Sequence, residues 1–171
     1  MAISLYDVSI PVMIRGLGIL SEYMEKASVF ATESDIDPSI ILNARLFPDM
    51  MSLTGQVQRA SDNAKGAVGR LTGVEIPVFP DRETTFVELK ERVAKTIAFL
   101  RTVTRDQIER GQDRIIETKF RGTMRGETYV LQHLLPNFFF HVATAHDILR
   151  HNGLKIGKKD YLGPLDAPEA R

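Results

Sequence analysis

All four histidines of the chain lie in one stretch, TYVLQHLLPNFFFHVATAHDILRHNG, residues 128–153. His133, Asn137 and His141 stand four residues apart there, so on a helix they stack one above another on one face. Two imidazoles and an amide so arranged suit two kinds of chemistry. One is ligation of a divalent metal through neutral ring nitrogens. The other is recognition of a polar ligand beside a histidine that exchanges a proton near neutral pH. A third reading is purely structural: His141 is buried and hydrogen-bonded to an amide or a water, because buried polar groups must be paired. Pro136 lies between His133 and Asn137 and is expected to rotate the His133 segment away from the other two. His146 and His151 point to other sides of the helix and are expected at the surface or at an interface.

The elements that must position these residues follow from periodicity. Leu131, Leu135, Phe138, Val142, Ala145 and Leu149 repeat at helical spacing beside the polar line, so the last helix buries one stripe and ends at Asn152-Gly153. Consecutive helical residues are about 100° apart, so Phe138, Phe139 and Phe140 cannot all face one core. One of them must meet the hairpin, the pocket or a second subunit, and a homodimer is expected on that ground. A capping box at Ser4 and Asp7 predicts a first helix to about Phe30, bent at Pro11. A turn of helix is expected over residues 38–42. A second long helix is expected to open at Pro48-Asp49-Met50, with Arg45 pairing Asp49, and to end near Gly73. Asp62 and Lys65 read as its solvated face.

Thr85 and Glu88 form the capping box of a third helix, which runs to about Val103. Alternation of Ile116, Thr118 and Phe120 with charged residues, and glycines at 122 and 126, predict a small β-hairpin. Residues 154–171 are polar and rich in Gly and Pro, and are expected to be an extended surface tail of a single domain spanning 1–171. Four amphipathic helices with a connector over residues 73–81 make a four-helix bundle the best architecture, and such bundles build sites between facing helices.

Composition narrows the function. The chain of 171 residues has 22 Lys and Arg against 22 Asp and Glu, and no cysteine. Neutral charge argues against nucleic acid as a partner. The absence of cysteine excludes disulfides and thiolate zinc sites and suits a reducing compartment, so a cytoplasmic location is expected. No segment reaches the ~20 apolar residues that span a bilayer. A glycine-rich phosphate loop, a serine elbow and an H-E-x-x-H motif are all missing.

Several motifs taken together are similar to a known group. ARLFPDM at 44–50, Gln56 and Asp62, LPNFFFH at 135–141, ILRHNG and a later GKKDYLG resemble a domain-of-unknown-function family of the DinB-like superfamily. The resemblance spans nearly the whole chain. It implies an all-α fold, a DinB-like four-helix bundle with a small β-hairpin before the last helix. Many DinB-like proteins hold a divalent ion with one histidine on the second helix and a His-x-x-x-His pair on the fourth, and the superfamily includes thiol-dependent transferases and isomerases. Carried onto this chain, the pair falls at Asn137 and His141, and the second-helix position falls near Gln56. Two amides stand where imidazoles are implied, and amides are weak ligands for zinc or nickel. No cofactor is therefore expected; a bound zinc or nickel would draw on His141 and His133. The first reading is an intra-bundle pocket of Gln56, Asn137, His141 and His133 that binds a small polar ligand. The alternative is a divalent-metal-dependent transferase or isomerase of the thiol-dependent type using His141.

Overall fold

A computed structural model of the chain describes residues 3–119 and 122–164. Ser4 and Asp7 exchange the anticipated bonds, Asp7 N–H to Ser4 Oγ at 3.3 Å and Ser4 N–H to Asp7 Oδ2 at 3.2 Å. They close a preliminary turn, however, and α1 proper spans Ile10–Glu33. Pro11 thus sits in the first turn, where its missing N–H would have had no partner, and it does not interrupt the helix. The short α2 (Pro38–Asn43) is capped by Asp37, whose carboxylate accepts the Ser39 N–H at 2.8 Å.

The second long helix, α3 (Leu53–Thr72), begins later than Pro48 suggests. Its cap is Ser52, whose Oγ accepts the Gly55 N–H. Arg45 donates to the Met50 carbonyl rather than pairing with Asp49, so residues 44–52 form a loop across the end of the bundle. Helix α3 stops at Gly73, whose φ of +78° is left-handed. The Thr85–Glu88 capping box forms as expected and starts α4 (Phe86–Arg101).

Beyond α5 (Arg105–Glu109), strands β1 (Ile115–Thr118) and β2 (Gly122–Arg125) pair antiparallel with Ile116 opposite Met124. Phe120 and Arg121, part of the anticipated hairpin, lie outside the described residues. Gly126 has a different role from the turn residue the spacing suggested. It opens α6 (Gly126–Tyr129), and a Cβ there would lie 1.9 Å from the Gly111 carbonyl oxygen; one at Gly111 would lie 2.5 Å from the Leu71 carbonyl oxygen. Three backbone segments therefore cross with no room for side chains, which anchors the hairpin to the end of α3.

A π-helical turn, Val130–Leu134, leads directly into α7 (Leu135–His151). A proline cannot donate to the helical ladder and its ring presses on the carbonyl one turn back. Widening that preceding turn accommodates Pro136 without breaking the helix.

Helix α1 packs on α4, α4 on α3, α3 on α7 and α7 back on α1, closing the four-helix ring around one hydrophobic cluster. Gly16 lets α7 approach α1, since a Cβ there would be 2.5 Å from the Phe138 ring. Phe138 is fully buried, Phe139 meets it edge-on at 5.2 Å, and Phe140 is 54% exposed. The expected extended tail is corrected as far as residue 164. Leu154 and Ile156 enter the core, and α8 (Lys158–Leu162) is held to α1 by Lys26–Asp160 and by Arg15 donating to the Leu162 carbonyl. Two apolar residues separated by one polar position sufficed to bury a segment whose average composition is polar. No helix among the described residues is long and apolar enough to cross a membrane.

Candidate functional site

The four residues singled out from the sequence divide into two pairs. Gln56, on the inner face of α3, is buried, and its Oε1 lies 2.7 Å from His141 Nδ1 on α7. Its Nε2 donates to the Met51 carbonyl at 3.1 Å. That second bond orients the amide. With the oxygen turned to the imidazole, Nδ1 must carry the proton and Nε2 is the unprotonated nitrogen. Burial, and next the positive charge of Arg59, push the His141 pKa down to about 4. His141 is thus neutral at physiological pH, and the expected proton exchange near neutrality is corrected, because half-burial beside a guanidinium penalises the imidazolium.

The depressed pKa has a measurable consequence. An unfolded histidine titrates near 6.5, so the unfolded chain binds a proton there that the native chain refuses. Stability linked to His141 is complete above about pH 6.5. It is lost as pH falls from there to about 4. A His141→Gln chain is expected to show a shallower loss over that window than the parent in urea titrations at several pH values. Parallel curves for the two chains would contradict the assignment.

Asn137 does not join Gln56 and His141. Its Nδ2 donates to Asn63 Oδ1 at 2.8 Å, two turns farther along α3 than Gln56. His133 stacks on Tyr129 with ring centroids 5.5 Å apart. Asn63, His133 and Asn137 line one groove of about 720 Å³ between α3, β1 and the start of α7, with Arg59, Asp62 and Arg70 on its α3 side. Pro136 was expected to turn His133 away. The π turn instead keeps His133 on the same groove as Asn137, because the extra residue in the turn offsets the rotation at the proline.

This arrangement does not fit a zinc or nickel ion. Two of the three implied ligand positions are amides already committed to His141 and to Asn63. Among the described residues no three His, Cys, Asp or Glu side chains converge on a point.

Sequence reasoning missed a second polar assembly, next to the groove. The Arg92 side chain, 1% exposed, reaches Asp62 at 2.8 Å, Asp81 at 2.9 Å and Glu83 at 2.9 Å. Lys65 is buried, contacting Asp62 at 3.2 Å and the Pro77 carbonyl at 3.1 Å, with its ammonium 4.2 Å from the Phe79 ring centroid. Arg59 adds contacts to Asp81 and Asp62. Burial pushes the Glu83 pKa up, but hydrogen bonds from Arg92 and Gln58 overcome it and hold the carboxyl below its usual range. Asp62 and Lys65 are thus part of the clamp that fastens the 77–83 connector to α3 and α4, not a solvated face. One signal was available: Arg92 lies in register with Leu89, Val93 and Thr96 on the buried stripe of α4.

His146 is also corrected. Tyr23 Oη lies 2.6 Å from its Nδ1 and Tyr161 meets its ring edge-on at 5.9 Å, so α8 covers it. His151 is exposed.

A family profile described as a domain of unknown function, DUF1993, matches residues 5–162. A crystal structure of a DinB family member protein from Shewanella denitrificans superposes with a TM-score of 0.91 at 35% identity, covering 97% of this chain and 96% of that one. A search of curated proteins returns no match.

Proposed function

Starting from the premise that the chain belongs to the DUF1993 family, we propose that it binds a small polar molecule in the groove between α3, β1 and the head of α7. The observation that carries this reading is the π turn before Pro136. It sets His133 and Asn137 side by side on the wall of the groove of about 720 Å³, opposite Asn63. Such turns interrupt regular hydrogen bonding and recur at functional sites. In place of the metal site implied by the superfamily there is a Gln56–His141 pair that braces α3 against α7. The ligand would act in a reducing, cytoplasmic setting, on the cysteine-free composition.

Nitrogen-15 spectra of the chain, titrated with a panel of neutral and charged polar metabolites, test the reading. Binding is expected to move signals of Asn63, His133 and Asn137 together. In an Asn137→Leu chain affinity should fall about tenfold, the worth of one hydrogen bond. Zinc-soaked and dialysed protein is expected to retain metal well below stoichiometry. A panel that moves no groove signal would sink the reading. Stoichiometric zinc lost in a His141→Ala chain would replace it with the metal-dependent alternative.

A further inference from the structure

We infer that the groove selects a monoanion, and that Arg70 anchors its carboxylate. The inference rests on the groove being the binding site, and it comes from the cations of its α3 wall, where Arg59 and Arg70 line it and Lys65 and Arg92 stand beside it; Lys119, on the hairpin side, is a further cation of the lining. Arg59 is held by Asp62 and Asp81, and Lys65 and Arg92 are held inside the connector clamp. Arg70 differs from all three. It is exposed, it lines both the groove and an adjoining hollow of about 380 Å³, and among the described residues no carboxylate forms an ion pair with it. Its guanidinium is 6.0 Å from the Tyr129 ring centroid, so an aromatic face steadies it without cancelling its charge.

A glycine one turn earlier places the group. A Cβ at Gly66 would lie 2.5 Å from Arg70 Nη1. The side chain therefore folds back over bare α3 backbone and stays beside the groove instead of extending into water. Glycine is a poor residue for a helix interior, and here it has this packing consequence. A planar guanidinium presents paired N–H donors that match a carboxylate two for two. Arg59, Arg70 and Lys119 against Asp62 and Glu117 give the lining one formal positive charge, which matches a carboxylate and sets it apart from a dianionic phosphate monoester. The Asn63–Asn137 pair uses one donor and one acceptor. Asn137 Oδ1 and the Asn63 amide N–H groups remain for a neutral amide or hydroxyl elsewhere on the ligand.

Hippurate carries an amide and a carboxylate, hippuramide replaces the charge with a second amide, and phenyl phosphate supplies a dianion. In nitrogen-15 titrations hippurate is expected to bind at least about tenfold more tightly than hippuramide, the yield of a charge-assisted bond, and more tightly than phenyl phosphate. Arg70→Gln should erase the hippurate advantage. Gly66→Ala keeps the charge and favours the helix while displacing the guanidinium, and it should weaken hippurate with hippuramide unchanged. Equal binding of hippurate and hippuramide, tighter phenyl phosphate, or an advantage that survives both substitutions overturns the inference. Hippuramide reads the groove alone: its binding without a charge preference leaves the groove reading standing, whereas no groove shift with any of the three probes overturns the Arg70 assignment as well.

Discussion

A Gly126→Ala chain is expected to lose on the order of 3 kcal/mol of stability, the upper part of the range for overpacking. For a domain of this size that is a fall in Tm of roughly 6–12 °C. The added methyl would stand 1.9 Å from the Gly111 carbonyl oxygen and 3.1 Å from Leu71 Cδ2. The oxygen belongs to backbone, so no rotamer change relieves the overlap. Gly111 cannot retreat, because it already backs onto the Leu71 carbonyl at the end of α3. The hairpin, α6 and the π turn would have to move together, and groove signals should shift along with the melting temperature. A loss below about 1 kcal/mol in thermal denaturation would show that the three-segment crossing relaxes easily and does not anchor the hairpin.

Arg92→Met is the second large effect, about 3 to 5 kcal/mol, since it strands carboxylates that have lost their cation. Glu83 is the most enclosed of them, with 11% of its side chain exposed, whereas Asp62 and Asp81 retain partial access to water. A double-mutant cycle with Glu83→Gln separates the stranded charge from the lost packing: the pair should cost clearly less than the sum of the single changes. The pH dependence carries a definite sign. Glu83 is held below its ordinary pKa of 4.5 in the folded chain, so its stabilisation is present above that value and is lost as pH falls through the folded pKa. The gap between parent and Arg92→Met should therefore narrow in acid. Additive costs and a gap independent of pH would reduce Arg92 to a packing residue.

Some elements were legible because their causes lie within a few residues. The Thr85–Glu88 box, the left-handed Gly73 and Gly153 and the β1–β2 alternation each depend on local backbone chemistry, and each stands where the spacing put it. Local signals misled where two candidates competed. Ser4–Asp7 and Pro48 are genuine start signals, but the long helices themselves begin at Ile10 and Leu53, and tertiary packing selects the register that fills the core.

By itself, the sequence determined that four amphipathic helices close into a bundle and that the polar line of His133, Asn137 and His141 runs along the last helical stretch, and it grouped Gln56 with those three without choosing partners among them. Those facts follow from periodicity and from the family resemblance. Only the tertiary structure decided that Asn137 turns to Asn63 instead of Gln56, that His133 stays on the groove beside it, and that Arg92 and Lys65 are buried while Arg70 has no acidic partner among the described residues. The reason is physical. A side chain's partner is set by the rotation and height at which two helices meet, and a single π turn changes both by a fraction of a residue that no spacing in the chain records.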